Sequence, residues 1–527
     1  PVSFLLCLNL HFKKGKGFPL HVGKKTKNKV QKFPMDSVSQ SSHHHIVVFP
    51  FMAKGHTIPL LHLISLLRRR FPHLSLTIFT TPANRPFISR FLSVSGTGTD
   101  TDSISLVDLC FPQNVPGLPT GVESTDALPS ISLHPLFCRA TELMQPEFEK
   151  RLQSLPVPVT FLISDMFFWW TLESASKFGI PRIIFSGMSN YSCAVVSAVM
   201  KNRELDRVVC VEEMVTVSDF PWVKICKGDF DTVFWSKAEE EPTNLHLELV
   251  RKSIHASMKS YGVIVNSFYE LEPLFSDYVR NSERSWNIGP LCLYQCSFEA
   301  TRNDRTQQPT KHAMRPKWLE WLEGKLRQGE KVLYVAFGTQ SQISSEQMKE
   351  IEIGLEESGV RFLWARRKVE EEKEVFEDHE GFEERTKERG IVVREWVNQW
   401  EVLKHEAVEG FLSHCGWNSV IESLSCGVPI LTYPLMADQS LNARMVVEEL
   451  RAGMKAVEGT SPAMMKGFVK GKDLKRRVKE LMEGEKGREV RKKAMEISEM
   501  AKKSMAENGS SWRDLELLIQ EMCNKSS

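Results

Sequence analysis

The sequence predicts an α/β protein built from two doubly wound domains that face each other across a cleft. Three observations predict it: apolar runs of strand length alternate with amphipathic helical stretches, the alternation stops and restarts once, and each series is of domain size. Strands that alternate with helices make a parallel sheet covered on both faces, so its strands read as continuous apolar runs.

The first series begins at His45 with IVVFPF, a strand, followed by the loop MAKGH and by TIPLLHLISLLRRR, whose Leu and Ile recur at helical spacing. SLTIFTT (75–81) is a second strand, a helix is expected near 84–92, and SISLVDL (103–109) is a third strand. VTFLISD (159–165), a helix at about 168–178, PRIIFS (181–186) and GVIVNS (262–267) continue the pattern, which ends around NIGPLCL (287–293). Residues 294–314 are polar and aperiodic, and KWLEWLEGK then opens a helix. The second series runs through KVLYVAFG (331–338), a helix at about 345–358, RFLWARR, GIVVREW (390–396), VEGFLSH (408–414) and VPILTYP (428–434). From Gly471 the tail is helical and charged, and Ser511 with Asp514 three residues on has the capping-box spacing that announces a last helix. The expected divisions are a leader at 1–34, an N-terminal domain at 35–290, a linker at 291–315, a C-terminal domain at 316–505 and a final helix at 506–527.

Composition narrows the function. With 42% hydrophobic and 25% charged residues the 527-residue chain has a globular balance, and its net charge of +2 is too near neutrality to imply nucleic acid. No apolar run approaches the ~20 residues of a transmembrane helix. Residues 1–34 carry eight lysines and no acid, start with Pro and lead into Met35. Their apolar stretch precedes the lysines, the wrong order for a secretory signal, and they read as translated upstream sequence with Met35 as the natural start. A basic arm for a nucleus or membrane surface, or a transit peptide, is the competing reading. Eleven scattered cysteines without a CxxC point to reduced thiols in the cytosol, and a cytoplasmic monomer is expected.

The densest chemical signal is WVNQWEVLKHEAVEGFLSHCGWNSVIESLSCGVPILTYPLMADQ, from Trp396 to Gln439. VEGFLSH is a strand, HCGWNS a turn and NSVIESL a helix start, which puts Asn418, Ser419 and Glu422 on one face. A helix N-terminus with unpaired N–H groups, a close-approach Gly and hydroxyl, amide and imidazole donors makes a phosphate cradle. Glu422 one turn deeper suits the two hydroxyls of a ribose, and Trp396 offers a face to a base; the ligand suggested is a nucleoside diphosphate. Taken singly, both tryptophans, Trp396 and Trp417, read more simply as core, and Glu422 as a solvated helix carboxylate.

This stretch resembles the 44-residue signature box of plant UDP-glycosyltransferases in its length, in HCGWNS with Glu three residues later, and in the closing DQ. The similarity extends to GHTIPLLHL, VTFLISD, GVIVNSFYELEP, NIGP, VLYVAFGT and GFEERTKERGIVV, and so from Met35 to the C-terminus. The resemblance implies a GT-B fold of two Rossmann-like domains, the first taking a small-molecule acceptor and the second the UDP-sugar, with the last helix packing back on the first. It implies that Trp396 stacks on uracil, Val397 and Gln399 contact the uridine, Glu422 takes the ribose, and His414, Asn418, Ser419 and Thr339 take the diphosphate. Trp417, Asp438 and Gln439 would hold the sugar, and a closing Gln favours UDP-glucose. No cofactor and no metal is implied. Asn398 stands where the family commonly has Pro, leaving the turn under the uracil less pre-set in φ, and Trp400 replaces a smaller aliphatic residue.

The first half carries a second pair. His56 lies at the end of the first strand and the start of the first helix, where open α/β sheets place ligands, and the helix dipole biases its imidazole toward the neutral form a general base needs. Asp165 ends VTFLISD, at an equivalent sheet edge, and could fix the tautomer and stabilise the imidazolium as it forms. The resemblance assigns these roles, base and partner, and implies an inverting transfer. Without it, a capping His and a strand-end Asp serve equally well.

Several features are set aside. Gly96 and Gly98 have no strand before them and no helix after, so they are no dinucleotide fingerprint. Asp100 with Asp102 and Asp229 with Asp231 have a DxD form but read as loop charges; His43, His44 and His45 read as strand entry, and 370–380 as a solvated acidic loop. Phe167, Phe168, Trp169, Trp170, Met188, Tyr191, Phe234 and Trp235 would suit an apolar cleft for a flat phenolic such as a flavonoid, or could be core. The rival readings are a non-catalytic UDP-sugar sensor or scaffold, transfer of a different sugar, and a nicotinamide-dependent oxidoreductase, the last lacking its glycine fingerprint.

Overall fold

The computed structural model describes residues 44–94, 104–231, 244–294, 315–340, 343–366, 381–457 and 468–525. The basic leader, His43, Gly96, Gly98, Asp100, Asp102, Phe234, Trp235, the acidic run 370–380 and most of the expected linker lie outside these residues.

Two parallel sheets organise the chain. The first has seven strands in the order β3-β2-β1-β4-β5-β8-β9: β1 His45–Phe49, β2 Ser75–Thr80, β3 Ile104–Asp108, β4 Phe161–Asp165, β5 Arg182–Ser186, β8 Gly262–Val265 and β9 Ser285–Asn287. The second has six in the order β12-β11-β10-β13-β14-β15: β10 Val332–Ala336, β11 Arg361–Ala365, β12 Gly390–Val393, β13 Val408–Ser413, β14 Ile430–Thr432 and β15 Gly453–Lys455. All pairs within these sheets are parallel. The chain order reverses between β1 and β4 in one sheet and between β10 and β13 in the other, and such switch points open crevices at the strands' carboxyl ends.

The apolar runs form the strands because both faces are covered: every residue of β1, β4, β5 and β10 is buried. His45 does serve strand entry; its ring bonds the Thr77 hydroxyl at 2.8 Å and the Val157 carbonyl at 2.9 Å, joining β1 to its neighbours. An antiparallel hairpin not expected from the sequence, β6 Val215–Val217 with β7 Phe220–Ile225, is inserted between β5 and β8.

The last helix, Ser510–Lys525, packs on the first sheet's layer, where Leu515, Leu518, Ile519 and Met522 join Leu63, Leu67 and Ile264 in one core. Burying each such side chain is favourable by roughly 1.5–3 kcal/mol before entropy is counted. Ser511 and Asp514 do not form the expected capping box. Ser511 lies within the helix and its hydroxyl donates to the Gly289 carbonyl, while Asp514 accepts the Asn287 N–H at 2.8 Å and pairs with Arg280. Both side chains thus dock the helix on the first half. No described helix is long and apolar enough to cross a membrane.

Candidate functional site

One cleft of about 1880 Å³ runs between the carboxyl ends of the two sheets. His56 lines it on one side, and all eleven residues expected around a nucleotide sugar line it with him across the gap: Thr339, Trp396, Val397, Gln399, His414, Trp417, Asn418, Ser419, Glu422, Asp438 and Gln439.

His56 is the third residue of the helix Lys54–Arg70, directly after β1, and Asp165 ends β4, the adjacent strand across the switch point. The topology therefore brings them together over 109 residues: His56 Nδ1 lies 2.7 Å from Asp165 Oδ2. A carboxylate only accepts, so Nδ1–H donates to it and Nε2 keeps the lone pair. Asp165 is fully buried and its other oxygen accepts the Phe167 N–H at 3.0 Å, which fixes the carboxylate, while the His56 side chain keeps 24% of its exposure. The dipole argument for a neutral His56 does not decide its titration. Burial opposes the charged ring, but the charge and hydrogen bond of Asp165, with smaller contributions from Asp438 and Asp126, outweigh it and raise the pKa above 6.5.

On the other side, the helix Trp417–Ser425 follows β13 through the turn His414-Cys415-Gly416. Val420 is the first N–H to bond back, to Gly416 at 3.1 Å, so the N–H groups of Trp417, Asn418 and Ser419 precede it as first-turn donors. The His414 ring packs on glycine: a Cβ at Gly416 would lie 2.6 Å from Nε2 and one at Gly338 2.7 Å, and Gly338 also has a φ of +79°. Burial, partly offset by the Ala336 carbonyl, lowers the His414 pKa to about 4 and keeps the ring neutral.

Gln399 ties together two side chains of the helix Trp417–Ser425. Its amide donates to Ser419 Oγ at 3.0 Å and to Glu422 Oε2 at 2.8 Å, and burial pushes the Glu422 carboxyl up to about 7 despite that bond. Trp396 lies three residues beyond the end of β12 rather than at a strand end, in a loop, with 56% of its surface open for stacking. Asn398 has a φ of −71°, within the range a proline ring would impose, so the backbone here takes a proline-like φ without the ring. Trp400 is buried.

Two expected sugar or phosphate contacts are engaged across the cleft. The Trp417 indole is buried and donates to the Asn266 carbonyl at 3.0 Å, so this residue offers a ligand its backbone N–H rather than its side chain. The Asn418 amide donates to the Gly55 carbonyl. That carbonyl is available because its helical partner would be the N–H of residue 59, which is Pro59 and has none. Gln439 Oε1 accepts the N–H groups of Leu435 and Met436 at 2.8 and 3.0 Å, which leaves its NH2 as the end for a ligand. Burial raises the Asp438 carboxyl to about 6, and Asn442 donates to it at 2.9 Å.

Residues missed in the sequence join the halves. Asn442 also donates to the Cys415 carbonyl at 3.1 Å, and accepts from Ser189 and Ser192 of the first half at 3.1 and 3.0 Å. It thereby holds Cys415 at a φ of 64°, in the left-handed region, where the turn enters the helix. Gln340 donates to Thr125 at 2.7 Å. Asp229 is no loop charge: it is fully buried, pairs with Arg444 at 2.9 Å and caps the Cys226 N–H at 2.7 Å, because a desolvated Arg requires an anion. Of the described aromatic and sulfur-bearing candidates, Phe167, Trp169 and Met188 line the cleft, whereas Phe168, Trp170 and Tyr191 are core.

Residues 314–506 match the family model for UDP-glucoronosyl and UDP-glucosyl transferase. UDP-glycosyltransferase 90A1 of Arabidopsis thaliana is 48% identical over 490 residues, 91% of this chain and 97% of that one. Among solved structures, Glycyrrhiza uralensis UGT73P12, complexed with glycyrrhetinic acid 3-O-monoglucuronide, superposes with a TM-score of 0.76 at 28% identity over 92% of this chain and 96% of its own. Phytolacca americana UGT2, complexed with UDP-2fluoro-glucose and pterostilbene, does so with a TM-score of 0.71 at 27% identity over 91% and 100%. The paired sheets have the GT-B fold, and the chain belongs to the plant UDP-glycosyltransferase family.

Proposed function

We propose that this enzyme transfers glucose from UDP-glucose to a hydroxyl of a small lipophilic phenolic acceptor, with inversion at the anomeric carbon. The observation that carries the reading is that the His56–Asp165 pair and the helix Trp417–Ser425 open into one cleft from opposite sides. His56 Nε2 takes the acceptor proton, Asp165 stabilises the imidazolium as it forms, and the oxygen attacks the anomeric carbon from the face opposite UDP. First-turn N–H groups, Ser419 and neutral His414 donate to the diphosphate as its charge grows. Trp396 stacks on the uracil, Val397 and Gln399 hold the uridine, and Glu422 takes the ribose hydroxyls. Thr339 reaches the phosphates from the β10 loop, and Asp438 with Gln439 holds the glucose.

These donors meet the diphosphate charge without a divalent ion, so a chelator is expected to leave the rate unchanged. The glucose donor and phenolic acceptor are supported by the ligands named for the Phytolacca americana structure and by the apolar wall around Phe167. Proton NMR of the glucoside tests the displacement: a β-linked product from α-linked UDP-glucose is expected, and an α-linked product rules out a single displacement.

A further inference from the structure

The acceptor side of the cleft holds a second imidazole that the proposed chemistry does not use. His134 opens the helix His134–Thr141 and lines the cleft. Its ring lies edge-on to Phe167 at 5.3 Å and to Phe51 at 6.0 Å, the same two rings that hold His56 at 5.3 and 5.7 Å. Each imidazole is thus 5.3 Å from the Phe167 centroid, and no more than twice that distance separates them.

Other polar groups of this wall have partners of their own. Ser132 bonds Ser130 at 2.8 Å, the Trp169 indole reaches Glu142, and Asp165 holds His56. Among the described residues the His134 nitrogens meet only the Cys138 thiol, 3.7 Å from each, a weak sulfur contact that a ligand oxygen can replace. Burial, helped by the nearby charges of His56 and His246, lowers its pKa to about 4. At neutral pH it is an uncharged ring with one N–H and one lone pair, set in an apolar wall.

We propose that His134 is a specificity-determining residue of the acceptor site, hydrogen-bonding a second oxygen, hydroxyl or carbonyl, of a flat phenolic acceptor whose first hydroxyl lies against His56. The proposal rests on the acceptor reading above and narrows it: the preferred substrates carry a second oxygen on the same aromatic frame, spaced to meet His134 while the first meets His56. A neutral imidazole can donate or accept, so either oxygen type serves. A site built to bond a substrate oxygen discriminates against the analogue lacking it, because its own polar group is then left unpaired.

The test pairs 2-naphthol with its 2,3-, 2,6- and 2,7-dihydroxy analogues, using wild type, His134→Phe, His134→Gln and His246→Phe. Binding is measured by calorimetry in the presence of UDP, and hexose transfer from UDP-glucose by mass spectrometry. In wild type at least one diol is expected to bind ~3–10-fold tighter than 2-naphthol, the effect of one hydrogen bond. That advantage disappears in His134→Phe, returns in part in His134→Gln and survives in His246→Phe, while 2-naphthol itself binds the variants at least as tightly as it binds wild type. The proposal is overturned if no diol is preferred, if the preference survives His134→Phe or follows His246, or if 2-naphthol weakens in step with the diols, which marks a packing role. Because binding reads His134 without turnover, this binding pattern without hexose transfer supports His134 and counts against the transferase reading instead.

Discussion

Replacing Asp165 by Asn removes the charge beside His56 and keeps the side-chain shape. An amide that turns its oxygen to Nδ1–H offers a neutral, weaker bond; one that turns its NH2 there donates to Nδ1 and drives the proton to Nε2, the nitrogen needed as base. The loss can be sized from the geometry. The contact is 2.7 Å and Asp165 is fully buried, so the imidazolium and carboxylate charge centres lie ~4 Å apart, and at an effective dielectric of ~20 their attraction is about 4 kcal/mol. This attraction develops as the ring takes the acceptor proton, so its loss lowers the rate roughly 10³-fold, within the ~10²–10⁴ range of general-base catalysis. The assay is kcat/KM for UDP-glucose with a phenolic acceptor from pH 5.5 to 9. The base works when neutral, so activity rises with pH through the His56 pKa, and in wild type that limb lies above 6.5. In Asp165→Asn the plateau falls about 10³-fold and the limb moves to lower pH, because burial is less opposed. A thermal shift with UDP confirms that the variant folds and binds. A folded variant within about three-fold of wild type, with an unmoved limb, refutes the reasoning.

Three further outcomes follow from the other side of the cleft. Glu422 has its folded pKa raised from 4.5 to about 7, so the free enzyme loses stability as pH rises through that window; ribose hydroxyls favour the carboxylate, and stabilisation by UDP is expected to grow from pH 6 to 8 in thermal melts. Glu422→Gln flattens that growth and weakens UDP binding ~10–100-fold, the range for hydrogen bonds to a charged group. Gly338→Ala places a Cβ 2.7 Å from His414 Nε2 at a φ of +79°, costing about 1–2 kcal/mol in backbone strain alone and weakening UDP binding through a displaced His414; unchanged calorimetry argues that the ring is not held there. Arg444→Met leaves the Asp229 carboxylate buried without its partner and is expected to lower stability by ~3 kcal/mol in denaturant titrations.

Much of this arrangement could be read from local sequence, and the rest could not for physical reasons. Continuous apolar runs such as HIVVF and FLISD form strands because both sheet faces are covered, and His56 and Asp165 were legible as residues at the ends of such runs. The hairpin β6–β7 was missed because FPWVKI has a mixed burial pattern with Pro221 and Trp222 turned outward, so it lacks the run that marks the other strands. The strand in GIVVREW ends at Val393, short of the segment's end, because Arg394 to Trp396 leave the sheet without a turn residue to mark it. Arg444 with Asp229 and Asn442 with Ser189 are separated by 215 and 253 residues. Pairs of polar residues that far apart leave no periodicity, and only the folded chain reveals that they join the halves. The left-handed Cys415 is similarly silent, since neither its type nor its spacing announces a positive φ.

The most direct test of the central claim is mass spectrometry of reactions containing UDP-glucose and a mixed panel of phenolic, terpenoid and hormone acceptors, run with the full chain and with His56→Ala. The account predicts products heavier than their acceptors by one hexose, reduced at least a hundred-fold by His56→Ala while UDP binding is kept. Equal product from His56→Ala contradicts the assignment of the base, and failure of the wild-type chain to bind UDP-glucose contradicts the account as a whole.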